Sequence, residues 1–204
     1  MRPEILPAII YLTSRVNCST QQDLGNLNRV LFYLNQFPSL GLGLSVGKSR
    51  TVFGYIDASF GVHSDYKSHT GAVVSLGKGP IVCDSSKQKT NAKSSYEAEL
   101  MGASDGSNNL FFVRNLLIEQ GYKVGPAKLF QDNQSALASL KTGKPSSKRS
   151  RHINIKYFYL KDKVDREELE LEYLPTDEMI ADVLTKPLQG EKFRVLRSRL
   201  LNWD

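Results

Sequence analysis

Apolar residues fall at helical spacing up to residue 37 and in strand-like alternation from residue 51, and this change divides the chain. Ile5, Ile9, Ile10 and Leu12 predict a helix over 4–16. Cys18-Ser19-Thr20 breaks it. Thr20 followed by Asp23 has the form of a capping box, and Leu24, Leu27, Val30, Leu31 and Leu34 mark the apolar face of a second helix to about Phe37. Pro38, Gly41 and Gly43 end it. Two helices alone bury too little to form a core. This segment is therefore expected to pack on something else, with a boundary near Gly47-Lys48-Ser49.

Thr51 to Asp57 is β-branched and aromatic and reads as a strand ending on an aspartate. Thr70 to Leu76 and Pro80 to Ser85 read as two more strands, joined by a hairpin turn at Gly77-Lys78-Gly79. A long helix follows over 95–120, then a fourth strand, 127–132, again ending on an aspartate. A short helix over 133–140 and a helix over 153–164, with Ile155, Phe158, Tyr159 and Val164 facing in, precede a fifth strand at 169–174. Pro175 opens a helix through Leu184, and a last helix spans 190–201 with Phe193, Leu196 and Leu200. The pattern predicts an α/β fold: a five-stranded mixed sheet flanked by helices, with an N-terminal helical segment. The step from third strand through long helix to fourth strand implies a parallel neighbour reached by a crossover. Ligands of such sheets sit beyond the carboxyl ends of strands, where Asp57 and Asp132 fall.

Composition changes this picture little. The 204 residues are 40% hydrophobic and 24% charged, ordinary for a globular chain. The net charge of +6 permits a polyanionic partner. Cys18 and Cys83 lack metal-ligand spacing and read as free thiols. No apolar run reaches the ~20 residues of a membrane span, and the start has no signal-peptide shape.

The chemistry centres on Ser94 to Met101. Ser94 and Glu97 fit a capping box, which gives Glu97 a structural role. Glu99, two residues on, points elsewhere on the helix. It lies beside the buried stripe, where a carboxylate is costly without a partner such as a metal. Asp57, Asp132 and Asp182 join it as candidates. Each has a plainer reading: a turn residue for Asp57, the cap of the next helix for Asp132, exposed helical acids for Asp182 and Glu99. The topology brings all four toward one sheet edge.

Tyr55-Ile56-Asp57-Ala58-Ser59, Ser94 to Glu99, Gln131 to Ala136, Arg151 to Lys156 and Glu172 to Leu188 together resemble the ribonuclease H domain of copia-type LTR retrotransposon polyproteins. The resemblance implies a ribonuclease H-like fold over 49–190, with a C-terminal helical tail at 191–204. Residues 1–48 are similar to the tail of the preceding reverse-transcriptase region. It implies a catalytic, metal-holding set of Asp57, Glu99, Asp132 and Asp182. It further implies two Mg²⁺ ions, or Mn²⁺ in their place, and cleavage of the RNA strand of an RNA–DNA hybrid. Two such ions lie roughly 4 Å apart and clamp the attacking and leaving oxygens. The implied partners are the hybrid and the upstream polymerase region, with no membrane and no small-molecule cofactor. The implied place of action is a cytoplasmic particle of the element, or the nucleus. Beside that site, Ser59, Thr70, Asn133, Gln134 and Ser135 are candidates for backbone and hydroxyl contacts. Lys144, Lys148, Arg149, Arg151 and Lys156 read either as a solvated basic face or as phosphate contacts. His152 reads either as an orienting group at the start of the 153–164 helix or as a contact to nucleic acid. No histidine stands in the loop Leu174 to Glu178, and His63 and His69 read as residues of a polar loop without a role. Two rivals are a non-catalytic, hybrid-binding connection module and a transposase or integrase of the same broad fold. Retention of all four acids speaks against the first, and Glu99 against the second.

Overall fold

Alternation along Phe53–Ser59 (β1) sends Gly54, Ile56 and Ala58 to one face of a sheet and Tyr55 and Asp57 to the other. In the computed structural model, which describes residues 1–47, 50–142 and 151–202, β1 pairs antiparallel with His69–Ser75 (β2). β2 pairs antiparallel with Pro80–Lys87 (β3). On its other side β1 pairs in parallel with Ala127–Gln131 (β4), and β4 in parallel with Leu169–Tyr173 (β5). The order is β3-β2-β1-β4-β5, as a five-stranded mixed sheet. The expected crossover carries the chain past both β2 and β1, so the parallel neighbours of β4 are β1 and β5.

Two apolar clusters cover the two faces. The first joins Ile56, Ala72, Val74 and Leu129 to the helices Ser95–Glu119 (α3), Gln134–Thr142 (α4) and Arg151–Asp165 (α5). The second joins Val73 to Met179, Val183 and Leu184, to Leu196 and Leu200 of the C-terminal helix, and to Leu6 of the N-terminal segment. That segment comprises helices Leu6–Thr13 (α1) and Gln21–Gln36 (α2), with the Thr20–Asp23 capping box formed in both directions. Short 3-10 turns at Pro3–Ile5 and Val16–Cys18 replace the two ends of the helix expected over 4–16. Ser45–Val46 pairs with Gly77–Lys78, so the hairpin turn itself receives the N-terminal segment.

Three expectations need correction. The helix expected from Pro175 is a 3-10 turn, Thr176–Glu178, followed by an extended Met179 and a four-residue helix, Asp182–Thr185 (α6). Met179, Ala181, Val183 and Leu184 are all buried, which one helical stripe cannot achieve. In α5, Ile155, Phe158 and Tyr159 are exposed, while Ile153, Tyr157 and Leu160 face in. Both stripes have helical period, and the position of α3 selected one. In α2, Val30 is buried but Leu24, Leu27 and Leu31 are exposed. The helix is held instead by Tyr33 and Phe37, which pack with Phe193 of the C-terminal helix, Gly190–Leu201 (α7), around the Arg197 guanidinium.

Two glycines let helices lie directly on the sheet. At Gly106 of α3 an added Cβ would stand 2.7 Å from Ile56 Cδ1. At Gly71 of β2 it would meet Thr185 Cγ2 at 2.7 Å, Leu184 Cβ at 2.8 Å and the Ala181 carbonyl at 2.9 Å. Because α6 presses on Gly71, Gly71→Ala is expected to push α6 off the sheet and destabilise the fold by about 1–3 kcal/mol, read from urea unfolding midpoints.

Candidate active site

The β1/β4 register pairs Tyr55 with Phe130. Continued two residues further, it sets Asp57 level with Asp132. Asp182 is the first residue of α6, which Gly71 admits onto the same sheet face. Asp57, Asp132 and Asp182 each offer a carboxylate oxygen within 4.8 Å of the other two. Asp57 and Asp182 are buried and Asp132 is half-buried. Three different elements supply them, so the group exists only in the folded chain.

Glu99 approaches from the α3 side. It is buried and accepts a 2.6 Å hydrogen bond from Gln131 Nε2. Gln131 shares the inward parity of Ala127 and Leu129 and reaches Glu99 from the end of β4. Gln88 Nε2 donates to Thr70 Oγ1 at 3.0 Å and to the Ala98 carbonyl at 2.9 Å, which ties the first turn of α3 to β2. Glu99 thus adjoins the aspartate trio without sharing its spacing.

Charge explains the contacts around these acids. Burial raises the Asp57 carboxyl, with Asp182 and Asp132 adding to it, against Lys186 and Thr185, which lower it. Burial, then Asp57 and Asp132, push Glu99 up to about 9. Thr185 Oγ1 donates to Asp57, and Thr176 Oγ1 donates to Asp132 at 2.8 Å. Lys186 Nζ lies 2.5 Å from Asp182 Oδ1 and 3.3 Å from Asp57 Oδ2. Lys192 Nζ is 3.1 Å from Asp182 Oδ2, an ion pair without hydrogen-bond geometry. None of Gln88, Gln131, Thr185, Lys186 and Lys192 received a role from the sequence. Gln131, Thr185 and Lys186 lie within the blocks that carry the resemblance, which is the signal that could have drawn attention to them.

The other candidates divide. Ser94 caps α3 by accepting from Glu97 N–H, as expected, but the Glu97 carboxylate accepts from Lys93 N–H, one residue before the cap. Asn133, not Asp132, caps α4: its Oδ1 accepts from Ala136 N–H at 3.0 Å, which leaves Asp132 to the acid group. Ser59 Oγ is buried without a hydrogen bond, and Gln134 and Ser135 are exposed. Arg151 and His152 are exposed in the first turn of α5, so His152 lies inside the helix rather than before it. The Lys156 ammonium pairs with Asp105 of α3. Lys144, Lys148 and Arg149 lie outside the described residues. A cavity of about 390 Å³ on the α7 side, lined in part by Tyr55, Lys78 and Arg199, holds none of the four acids.

His69 is not a loop residue. It is buried in β2, between His63 (Nε2 to Nδ1, 3.0 Å) and Ser85 (Nε2 to Oγ, 2.8 Å). Ser85 donates to the Leu184 carbonyl at 2.7 Å. That carbonyl can only accept, so His69 Nε2–H donates to Ser85, and Nδ1 accepts from His63. The chain anchors α6 just before Thr185. Burial, then His63, hold the His69 imidazole down to about 4, with Asp84 opposing.

The donor set fits a hard divalent cation. It is all oxygen, charged, few in number and held by outer hydrogen bonds, as Mg²⁺ or Mn²⁺ requires. Among the described residues no helix is long and apolar enough to cross a membrane.

Comparison with known proteins bears on the family and the fold. No protein-family model matches the chain. It is 32% identical over 201 residues to the retrovirus-related Pol polyprotein from transposon RE1 of Arabidopsis thaliana, covering 98% of this chain and 14% of that polyprotein. It is 28% identical to the Pol polyprotein from transposon TNT 1-94 of Nicotiana tabacum, covering 96% of this chain and 15% of the relative. The chain therefore spans about one seventh of the length of these relatives. Among solved structures, LC11-RNase H1, isolated from compost by a metagenomic approach, superposes with a TM-score of 0.51 at 15% identity. That match covers 67% of this chain and 93% of the other, and it establishes the fold.

Two groups should tilt the stability of the metal-free protein in opposite directions, nearly cancelling between about 4.5 and 6.5 and leaving a net fall from there to about 9. The unfolded chain binds more protons at His69 between about 4 and 6.5, so stability drops as pH falls through that window. The folded chain binds more at Glu99 between 4.5 and about 9, so stability drops as pH rises there. Thermal unfolding in EDTA across this range should show the fall above about 6.5 abolished in Glu99→Gln, whereas His69→Gln should extend that fall down to about 4.5.

Proposed function

We propose that this chain, a ribonuclease H-fold segment related to the retrovirus-related Pol polyproteins of copia-type transposons, hydrolyses the RNA strand of RNA–DNA hybrids at Asp57, Glu99, Asp132 and Asp182. The supporting observation is the convergence of the three aspartates within ligand distance at the carboxyl edge of the sheet, with Glu99 beside them. Two divalent ions bound there would lower the pKa of an attacking water and stabilise the 3′-oxygen leaving group. Asp57, Asp132 and Asp182 would hold the ions, with Glu99 completing the set from α3. Thr185 and Thr176 fix the Asp57 and Asp132 carboxylates by donating to one oxygen of each. Gln131 does the same for Glu99.

Substrate binding falls to groups around this edge. Arg151 and His152 begin α5, which runs back along the parallel strands from the edge where Asp132 stands. With Lys144, Lys148 and Arg149, Arg151 would offer positive charge to phosphates, a contact weakened by salt and indifferent to sequence, with His152 beside it. Asn133, Gln134 and Ser135 follow Asp132 directly and would contact 2′-hydroxyls of the RNA strand. In this reading residues 1–48 belong with an upstream polymerase region, and the protein works in the particle of its element or in the nucleus.

Purified protein with Mg²⁺ should cut a labelled RNA–DNA hybrid in its RNA strand, and Asp57→Asn and Asp132→Asn should each stop it. Cutting that survives both changes would sink the assignment of the centre. Hybrid binding without cutting in either Mg²⁺ or Mn²⁺ would favour a non-catalytic module. A finer contrast separates the glutamates. Glu99→Gln should abolish cleavage with circular dichroism unchanged, whereas Glu97→Gln keeps an acceptor for Lys93 N–H and should cut nearly as well as the parent.

A further inference from the structure

We infer that Lys186 is a built-in counter-cation of the acid centre, which holds Asp57 and Asp182 together in the metal-free protein and competes with a divalent ion for their oxygens. This rests on the preceding reading only in that the centre binds a divalent cation.

The geometry is specific. Lys186 ends α6 four residues after Asp182, on extended backbone at φ −125°, ψ 142°. Its ammonium contacts both acids at once, at 2.5 Å and 3.3 Å. Lys192 reaches Asp182 at 3.1 Å and Asp177 at 3.8 Å. Of the two ammoniums, Lys186 alone bridges two members of the aspartate trio. Asp57 and Asp182 expose 2% and none of their side chains, so water does little for their charge. Two buried carboxylates this close need a positive neighbour or a proton.

The ammonium and a metal cannot share these atoms. Mg²⁺ bonds oxygen at about 2.0–2.1 Å, within the space an ammonium fills at 2.5 Å, and the two cations repel at such range. Filling the centre is therefore an exchange. Lys186 can leave cheaply: a third of its side chain is exposed, and its four-carbon stem lets the charge swing to water. Burial works against its charge in the site while Asp57 and Asp182 raise its pKa, and an ammonium in water is charged at neutral pH, so it stays charged when it yields the site. Lys186 thus sets the metal concentration at which the centre fills, at the expense of affinity and to the benefit of the empty fold.

A purely structural ion pair gives the opposite sign. Its removal would loosen the acids and weaken metal binding, or leave binding alone. Competition predicts that removal strengthens it. The test is Mn²⁺ titration calorimetry on the full chain, with thermal unfolding in EDTA and in Mn²⁺, for the parent, K186M, K186R, K192M and D57N. K186M should melt lower in EDTA, bind Mn²⁺ roughly fivefold more tightly and gain a larger Mn²⁺-induced rise in Tm. K186R, which keeps the charge, should stay near the parent, and K192M should shift in the same direction by less. Mn²⁺ binding in K186M that equals or falls below the parent, while D57N abolishes it, overturns the role of Lys186 and leaves the metal centre standing. No Mn²⁺ binding in the parent or K186M overturns both.

Discussion

Four carboxylates at one end of a sheet, largely out of water, are the constraint to which the rest of this fold responds. Each would lose solvation on folding, and each raises the cost of charging its neighbours. The chain offsets this in three ways. Thr185, Thr176 and Gln131 donate hydrogen bonds to Asp57, Asp132 and Glu99. Lys186 and Lys192 bring positive charge to Asp57 and Asp182. Glu99, which no ammonium touches in a described ion pair, is left with a pKa near 9. A metal-free centre of this kind is held ready at a cost to stability, which a bound cation would relieve.

The sheet positions the acids, and close contacts at glycine fix the helices that bring the remaining two. Gly71 under α6 sets the height of Asp182, and Gly106 of α3 lets the helix bearing Glu99 lie on Ile56 of β1 and Ala72 of β2. Polar ties add direction. Gln88 holds the Ala98 carbonyl one residue from Glu99, and the His63–His69–Ser85 chain holds the Leu184 carbonyl one residue from Thr185. The N-terminal segment adds a further layer. Leu6 enters the cluster around Met179 and Leu184, and Arg197 is sandwiched among Tyr33, Phe37 and Phe193. Its outer face, with Leu24, Leu27, Leu31 and Phe32, stays in water.

Strand alternation and cap chemistry were written locally, and so they could be read locally. The five strands, the Thr20–Asp23 box, the Ser94 cap and the separation of Glu97 from Glu99 all follow from residues within four positions of one another. The three aspartates that the fold brings within ligand distance were legible only as candidates, each with a plainer reading of its own and joined as a set by the resemblance. Tertiary contact decided which stripe of α5 faces inward, why Met179 to Leu184 buries nearly every residue, and that Asn133 rather than Asp132 caps α4. It also revealed Lys186, Gln131 and the His69–Ser85 chain, whose partners lie far off in sequence. Periodicity carries the sign of burial only where one stripe is apolar, and an ion pair between Lys186 and Asp57 leaves no trace in spacing. The sequence by itself determined which residues are able to do chemistry. The packing of α3 and α6 on the sheet decided how they meet, because carboxylate geometry and charge depend on ångström distances that only folding sets.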